Sequence, residues 1–137
     1  MDKFTVLLVD DEAAFLETLV KRLNKRGLNV LEAHDAKAGL AILNREAVDI
    51  VVLDVRMPEM DGIQALREIK KINPMIEVIM LTGHASVEVA IQGMELGAFD
   101  YLMKPTDINE LVYKLQDAYK KKILHEQKIE KMERELK

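Results

Sequence analysis

Cysteine is absent from this 137-residue chain, which excludes disulfides and thiolate metal sites and suits a reducing compartment, the cytoplasm. No apolar run approaches the roughly 18 residues of a membrane span. Met1-Asp2-Lys3 leads straight into a strand pattern, so neither a membrane segment nor a secretory leader is expected. Basic residues form no aromatic-interleaved patch; the formal net charge is −4 and lysines gather near the end, so this segment is not expected to contact nucleic acid directly. Internal repeats and low-complexity segments are missing. Glycine and proline are missing from Asp107 onward, so nothing there breaks a helix.

What remains is 49% hydrophobic and 32% charged, an ordinary balance for a globular chain of about one domain. Its centre is Ile50-Val51-Val52-Leu53-Asp54, a continuous apolar run closed by a carboxylate and followed by turn signals at Pro58 and Asp61-Gly62. A second such run, Val6 to Val9, stops at Asp10-Asp11-Glu12. Taken in order, the chain predicts a strand over 4–9, a helix over 13–26 capped near Asp11 and stopped by Gly27, and an edge strand over 28–33. A helix over 36–45 then leads to the strand ending at Asp54. Ile63, Leu66 and Ile69 mark a third helix ended by Asn73-Pro74. A strand over 77–81, a helix over 87–96 and a strand over 99–103 follow, and Asp107 caps a fifth helix. Strands alternating with helices predict an α/β fold, a doubly wound five-stranded parallel sheet covered on both faces.

The fifth helix is too long for the sheet. Positions 108, 111, 115, 118, 122, 125, 129, 132 and 136 advance by threes and fours and read Ile, Leu, Leu, Ala, Lys, His, Ile, Met, Leu. This is a heptad seam with polar members at Lys122 and His125. The expected division is a domain over 1–119 and a helical extension over 120–137 that projects toward a partner, with Lys120-Lys121-Lys122 on a solvated face.

In parallel α/β sheets ligands bind outside the carboxyl ends of the strands. There the chain delivers Asp10, Asp11 and Asp54, which repel one another and call for a hard divalent cation; Mg²⁺ is the natural guest. Thr82 and Lys104 end the fourth and fifth strands at the same edge, and together the set suits a phosphoryl group, with Asp54 as the carboxylate nucleophile. Asp10 and Asp11 alone also suit simple capping of the first helix.

The segments Val9-Asp10-Asp11-Glu12, Leu53 through Gly62, Leu81-Thr82-Gly83 and Tyr101-Leu102-Met103-Lys104-Pro105 together resemble the receiver domains of bacterial two-component response regulators, those attached to transcription regulators above all. The resemblance covers about 4–119. It implies a flavodoxin-like strand order 2-1-3-4-5 and a phosphoryl group accepted on Asp54 from a sensor histidine kinase. Mg²⁺ would be held by Asp11, Asp54 and the backbone carbonyl of Arg56, with Asp10 acting mostly through water. Thr82 and Lys104 would contact the phosphoryl group, Tyr101 would turn inward as Thr82 moves, and Lys104-Pro105 would be a cis peptide. Arg56 and His84 would tune phosphoryl lifetime. A homodimer is expected through helix four, strand five and helix five or through the heptad seam, with the output in a separate domain.

Two other classes compete. A haloacid-dehalogenase-like phosphatase also uses an aspartyl nucleophile with Mg²⁺, but it needs a second Asp two residues on, where this chain has Arg56, and room for a substrate cap. A flavodoxin-like electron carrier needs a phosphate loop where Asp10-Asp11-Glu12 would repel phosphate. A single-domain phosphorelay messenger is the alternative within the receiver reading.

Overall fold

The computed structural model describes residues 3–57, 59–83 and 87–137. Among them the elements alternate strictly: β1 (Thr5–Val9), α1 (Ala13–Lys25), β2 (Asn29–Ala33), α2 (Ala36–Leu43), β3 (Ile50–Asp54), α3 (Gly62–Ile72), β4 (Glu77–Thr82), α4 (Val87–Glu95), β5 (Asp100–Met103) and α5 (Ile108–Glu135). All strand pairings are parallel, in the order β2-β1-β3-β4-β5. The expected architecture and strand order therefore hold, and β2 takes the edge.

The unbroken apolar runs follow from this topology, because strands covered on both faces have no polar side to present. Leu7, Val9, Val51, Leu53, Val78 and Met80 pack toward α2, α3 and α4. Val6, Leu8, Ile50, Val52, Ile79 and Leu81 pack toward α1 and α5. Most helices are capped as their sequences suggest. Asp35, Asp61 and Asp107 each accept from a backbone amide of the first turn. The start of α1 differs: Glu12 holds the capping position and makes no side-chain cap bond. The carboxylates of Asp10 and Glu12 serve the site instead, as shown below.

Geometry demands glycine at Gly27 and Gly62 for different reasons. Gly27 stops α1 with φ +84°, the left-handed region that a side chain resists. At Gly62 a Cβ would stand 2.6 Å from the Val55 Cα, so only glycine lets α3 begin against the end of β3. The amide of Gly62 donates to the Val55 carbonyl at 2.9 Å and holds the loop there.

Helix α5 lies on the sheet through Leu111, Val112, Leu115 and Ala118, and Tyr119 stacks on Phe4 with ring centroids 4.6 Å apart. The lysine run that follows departs from the expected solvated face. Lys120 is exposed, but Lys121 reaches Glu77 at 3.5 Å. Lys122 is buried, 3.0 Å from Asp49, which also accepts from the Thr5 amide at 2.8 Å. Asp49 and Glu77 precede or begin the strands β3 and β4. Their partly or fully buried carboxylates require cations, and α5 passes near enough to supply them. Beyond Lys122 the helix covers no strand: Leu124, Met132 and Leu136 are exposed.

Candidate functional site at the carboxyl edge of the sheet

Strands β1 and β3 are neighbours, with Val9 opposite Leu53, so the residues just past each run come together. Asp10 and Asp54 are 3% and 4% exposed at this edge. Each carboxylate is fixed by a local turn. Asp10 Oδ1 accepts from the Glu12 amide at 2.8 Å, and Asp54 Oδ1 accepts from the Arg56 amide at 3.2 Å. These bonds aim the second oxygen of each group into the site.

Among the described residues, one cation faces them. Lys104, at the end of β5, lies 2.6 Å from Asp10 Oδ2, 2.8 Å from Glu12 Oε1 and 3.8 Å from Asp54 Oδ2, with its ammonium 4.4 Å from the Phe15 ring centroid. Its backbone amide donates to the Thr82 carbonyl at 2.8 Å, which brings the tips of β4 and β5 together. The Lys104-Pro105 peptide is cis.

The charges do not balance. Asp54 has its pKa pushed up to about 6, first by burial and then by the charge of Asp10; Lys104 and the Arg56 amide oppose this without overcoming it. Lys104 responds in the opposite sense: burial disfavours its charge, yet the hydrogen bonds of Asp10 and Glu12 and the charges of Asp10 and Asp54 hold its pKa above the ordinary lysine value. The same bond from Lys104 lowers the pKa of exposed Glu12.

Oxygen ligands of Asp10, Glu12 and Asp54 lie within 4.8 Å of one another, an all-oxygen set crowded enough to want more positive charge than Lys104 brings. That donor chemistry fits a hard cation such as Mg²⁺. Of the residues expected at the metal, Asp10 and Asp54 belong to the cluster. Asp11 is exposed and outside it, although its charge still adds to the rise in the Asp54 pKa. Arg56 carries its side chain into solvent. Thr82 is buried at the tip of β4 beside a cleft of about 330 Å³ that Val55, Arg56, Ile63 and Gln92 also line. Tyr101 is half-buried opposite Met80, on the face of the sheet that carries Thr82. His84 and Pro58 lie outside the described residues.

Sequence reasoning passed over Glu12 and Phe15 as partners of Lys104. Glu12 was visible as the end of the acidic triplet. Phe15 carried only the signature of a core position on α1.

Comparison with known proteins agrees with this geometry. Residues 6–116 match the response regulator receiver domain family. The chain is 43% identical over 113 residues to the transcriptional regulatory protein GlrR of Escherichia coli, covering 82% of this chain and 26% of that protein. It is 40% identical over 117 residues to the transcriptional regulatory protein ZraR of the same organism, with 85% and 26% covered. The chain thus spans about a quarter of the length of these relatives. Among solved structures, a response regulator receiver domain from Clostridium thermocellum superposes with a TM-score of 0.84 at 38% identity, over 88% of this chain and 98% of that one. NtrX from Brucella abortus superposes with a TM-score of 0.88 at 30% identity, over 94% of this chain and 29% of that one.

Proposed function

Because the chain belongs to the response regulator receiver domain family of two-component systems, we propose that it is switched by a phosphoryl group on Asp54, taken from a phosphohistidine of a sensor histidine kinase. The observation that carries this is the position of Asp54: buried at the tip of β3, charge-frustrated beside Asp10, with Lys104 across the site.

A carboxylate oxygen of Asp54 attacks phosphorus in line with the donor; the new bond makes an acyl phosphate, and the phosphorus–nitrogen bond of the donor imidazole breaks with its electron pair left on nitrogen. Asp10, Asp54 and the Arg56 carbonyl, joined by Asp11 turning in from solvent, would hold Mg²⁺, which when bound supplies the charge that offsets the phosphoryl oxygens. Lys104 neutralises a further oxygen, and Thr82 donates a hydrogen bond to the transferred group. The work is positioning and charge neutralisation, so the chain assists its own phosphorylation and dephosphorylation without turning over a separate metabolite. Arg56 and His84, two residues beyond Asp54 and Thr82, would screen the acyl phosphate from water.

The readout is a change of surface. Tyr101 moving inward with Thr82 would repack the face of α4, β5 and α5, where Val87, Ile91, Met94, Met103 and Tyr113 are exposed apolar side chains. A phosphoryl group shifts the population only insofar as it contacts one arrangement better. That face, or the extension of α5 over 120–137, pairs two copies. The names of the relatives support transcription regulation by a separate domain as the output.

Asp54→Asn is expected to abolish Mg²⁺-dependent labelling by acetyl phosphate, read by intact mass. Stoichiometric labelling of the variant would remove Asp54 from the nucleophile role. In the same assay, trimming Arg56 and His84 to alanine should speed loss of the label; an unchanged rate would discard their screening role.

A further inference from the structure

Helix α4 touches the sheet through very little of itself. Gly93 is its one buried residue among those described, whereas Val87, Ile91 and Met94 are exposed and Val89 is half-buried. A glycine weakens a helix interior relative to alanine, so its presence at the single point of deep contact calls for a reason. The reason is Met80. A Cβ on Gly93 would stand 2.1 Å from the Met80 Cε and 2.3 Å from its Sδ, with Ile63 Cδ1 next at 3.8 Å. The thioether of a fully buried β4 residue thus fills the notch that the missing side chain leaves.

On its other flank Met80 meets β5. Its Cα partner there is Tyr101, and strands about 4.8 Å apart place the side chains of paired residues side by side on one face. Thr82, two residues beyond Met80, shares that face. The room that Tyr101 would enter on turning toward Thr82 is therefore walled by the Met80 side chain, whose far end is seated against α4. Methionine suits such a place: unbranched, with three rotatable bonds, it can move its methyl end without moving its backbone.

We propose that Met80 is a positioning residue of the switch: seated in the Gly93 notch, it passes the inward turn of Tyr101 to α4, which pivots on this contact. This rests on the phosphoacceptor reading and adds the joint through which the site moves the exposed side chains of α4. Because α4 has no other fully buried side of its own, a small displacement at Gly93 carries Val87, Ile91 and Met94 with it.

The test follows the methionine methyl resonances of the 137-residue chain in Mg²⁺ while beryllofluoride, an acyl-phosphate mimic, is added. The bound fluorine signal reports occupancy at Asp54, and Met80→Leu assigns the methyl peak. In the unaltered chain the Met80 methyl should shift as the fluorine signal saturates. Gly93→Ala puts a methyl where the thioether lies and drives Met80 toward Tyr101, so it should weaken beryllofluoride binding roughly tenfold, the scale of an overpacked core contact. Combining Gly93→Ala with Met80→Ala reopens the room and should bring the affinity back. Were the contact packing alone, these variants would change the unfolding temperature and leave the beryllofluoride affinity where it was. That outcome overturns the proposal, as does a double variant that binds no tighter than Gly93→Ala, or a Met80 methyl that stays still while the fluorine signal saturates. A chain with no bound fluorine signal at all would overturn the phosphoacceptor reading itself, and the coupling with it.

Discussion

The two ends of the sheet treat buried charge in opposite ways. At the carboxyl edge, among the described residues, Asp10, Glu12 and Asp54 converge on Lys104 alone, and Asp54 is left with a pKa near 6. At the amino edge the carboxylates of Asp49 and Glu77 are each met by a lysine of α5, Lys122 and Lys121, with Lys70 nearby capping the Ile76 carbonyl at 2.6 Å. Lys122 has its pKa raised, because Asp49 and then Glu126 outweigh the burial that disfavours its charge. The same strands, β3 and β4, run from one edge to the other. One end meets each carboxylate with a lysine and anchors the long helix, with only Glu77 Oε2 left without a hydrogen bond among the described residues; the other is short of positive charge and is where a cation and a phosphoryl group have something to gain.

The sharpest way to break this contrast is to unmatch the anchored end. Asp49→Ala removes the acceptor of the Thr5 amide and the main partner of Lys122. Leaving a buried ammonium poorly paired costs several kcal/mol when burial is complete; with Asp49 partly exposed, the expected loss is about 2 kcal/mol in urea unfolding. Adding Lys122→Met should recover part of it, since an apolar side chain replaces the stranded charge. A loss under about 0.5 kcal/mol would show that the anchored end is ordinary solvated surface.

The opposite sign is expected at the other edge. Asp54 titrates near 6 in the fold against 3.8 for an ordinary aspartate, so it favours the fold most where it is protonated, below pH about 4. That contribution is lost as pH rises through about 6. In chelator, Asp54→Asn should therefore raise stability at pH 8 by roughly 2 kcal/mol and change it little at pH 4. Replacing the chelator with Mg²⁺ should narrow the difference, because a cation at the site relieves the same repulsion. A gain of equal size at both pH values would mean that the charge crowding is not its source.

How much of this was legible beforehand follows from the range of the signal. The central strands β1 and β3 were plain because each is an uninterrupted apolar run, whereas β2, broken by Asn29 and Glu32, was legible only as an edge strand; the carboxylates, Thr82 and Lys104 were plain because each sits where a run stops. Side-chain direction was not. Nothing in the triplet Asp10-Asp11-Glu12 says that its first and third members bring oxygens beside Asp54 while Asp11 stays outside that cluster; that depends on the backbone past Val9. The pairing of Lys122 with Asp49 was equally hidden, since a lysine run is ordinarily solvated and only packing of α5 on the sheet brings these two residues together. The heptad pattern ran through Lys122 without a break, whereas in the fold that residue divides a sheet-bound half from a free one.

The smallest expected effect separates crowding from mere proximity. Glu12 contacts Lys104 as closely as Asp10 does, 2.8 Å against 2.6 Å, but its carboxylate is exposed whereas that of Asp10 is buried. Water screens the exposed pair and already solvates its oxygens, so Glu12→Gln should cost under about 0.5 kcal/mol. Lys104 keeps Asp10 and Asp54 and loses only the Glu12 hydrogen bond, so its pKa should fall part of the way toward the ordinary value while labelling of Asp54 persists. Thermal unfolding and acetyl phosphate labelling on the one variant read both. If Glu12→Gln were as disruptive as Asp49→Ala, the carboxyl edge would be a matched structural cluster like the amino edge, and the contrast between the two ends of the sheet would be gone.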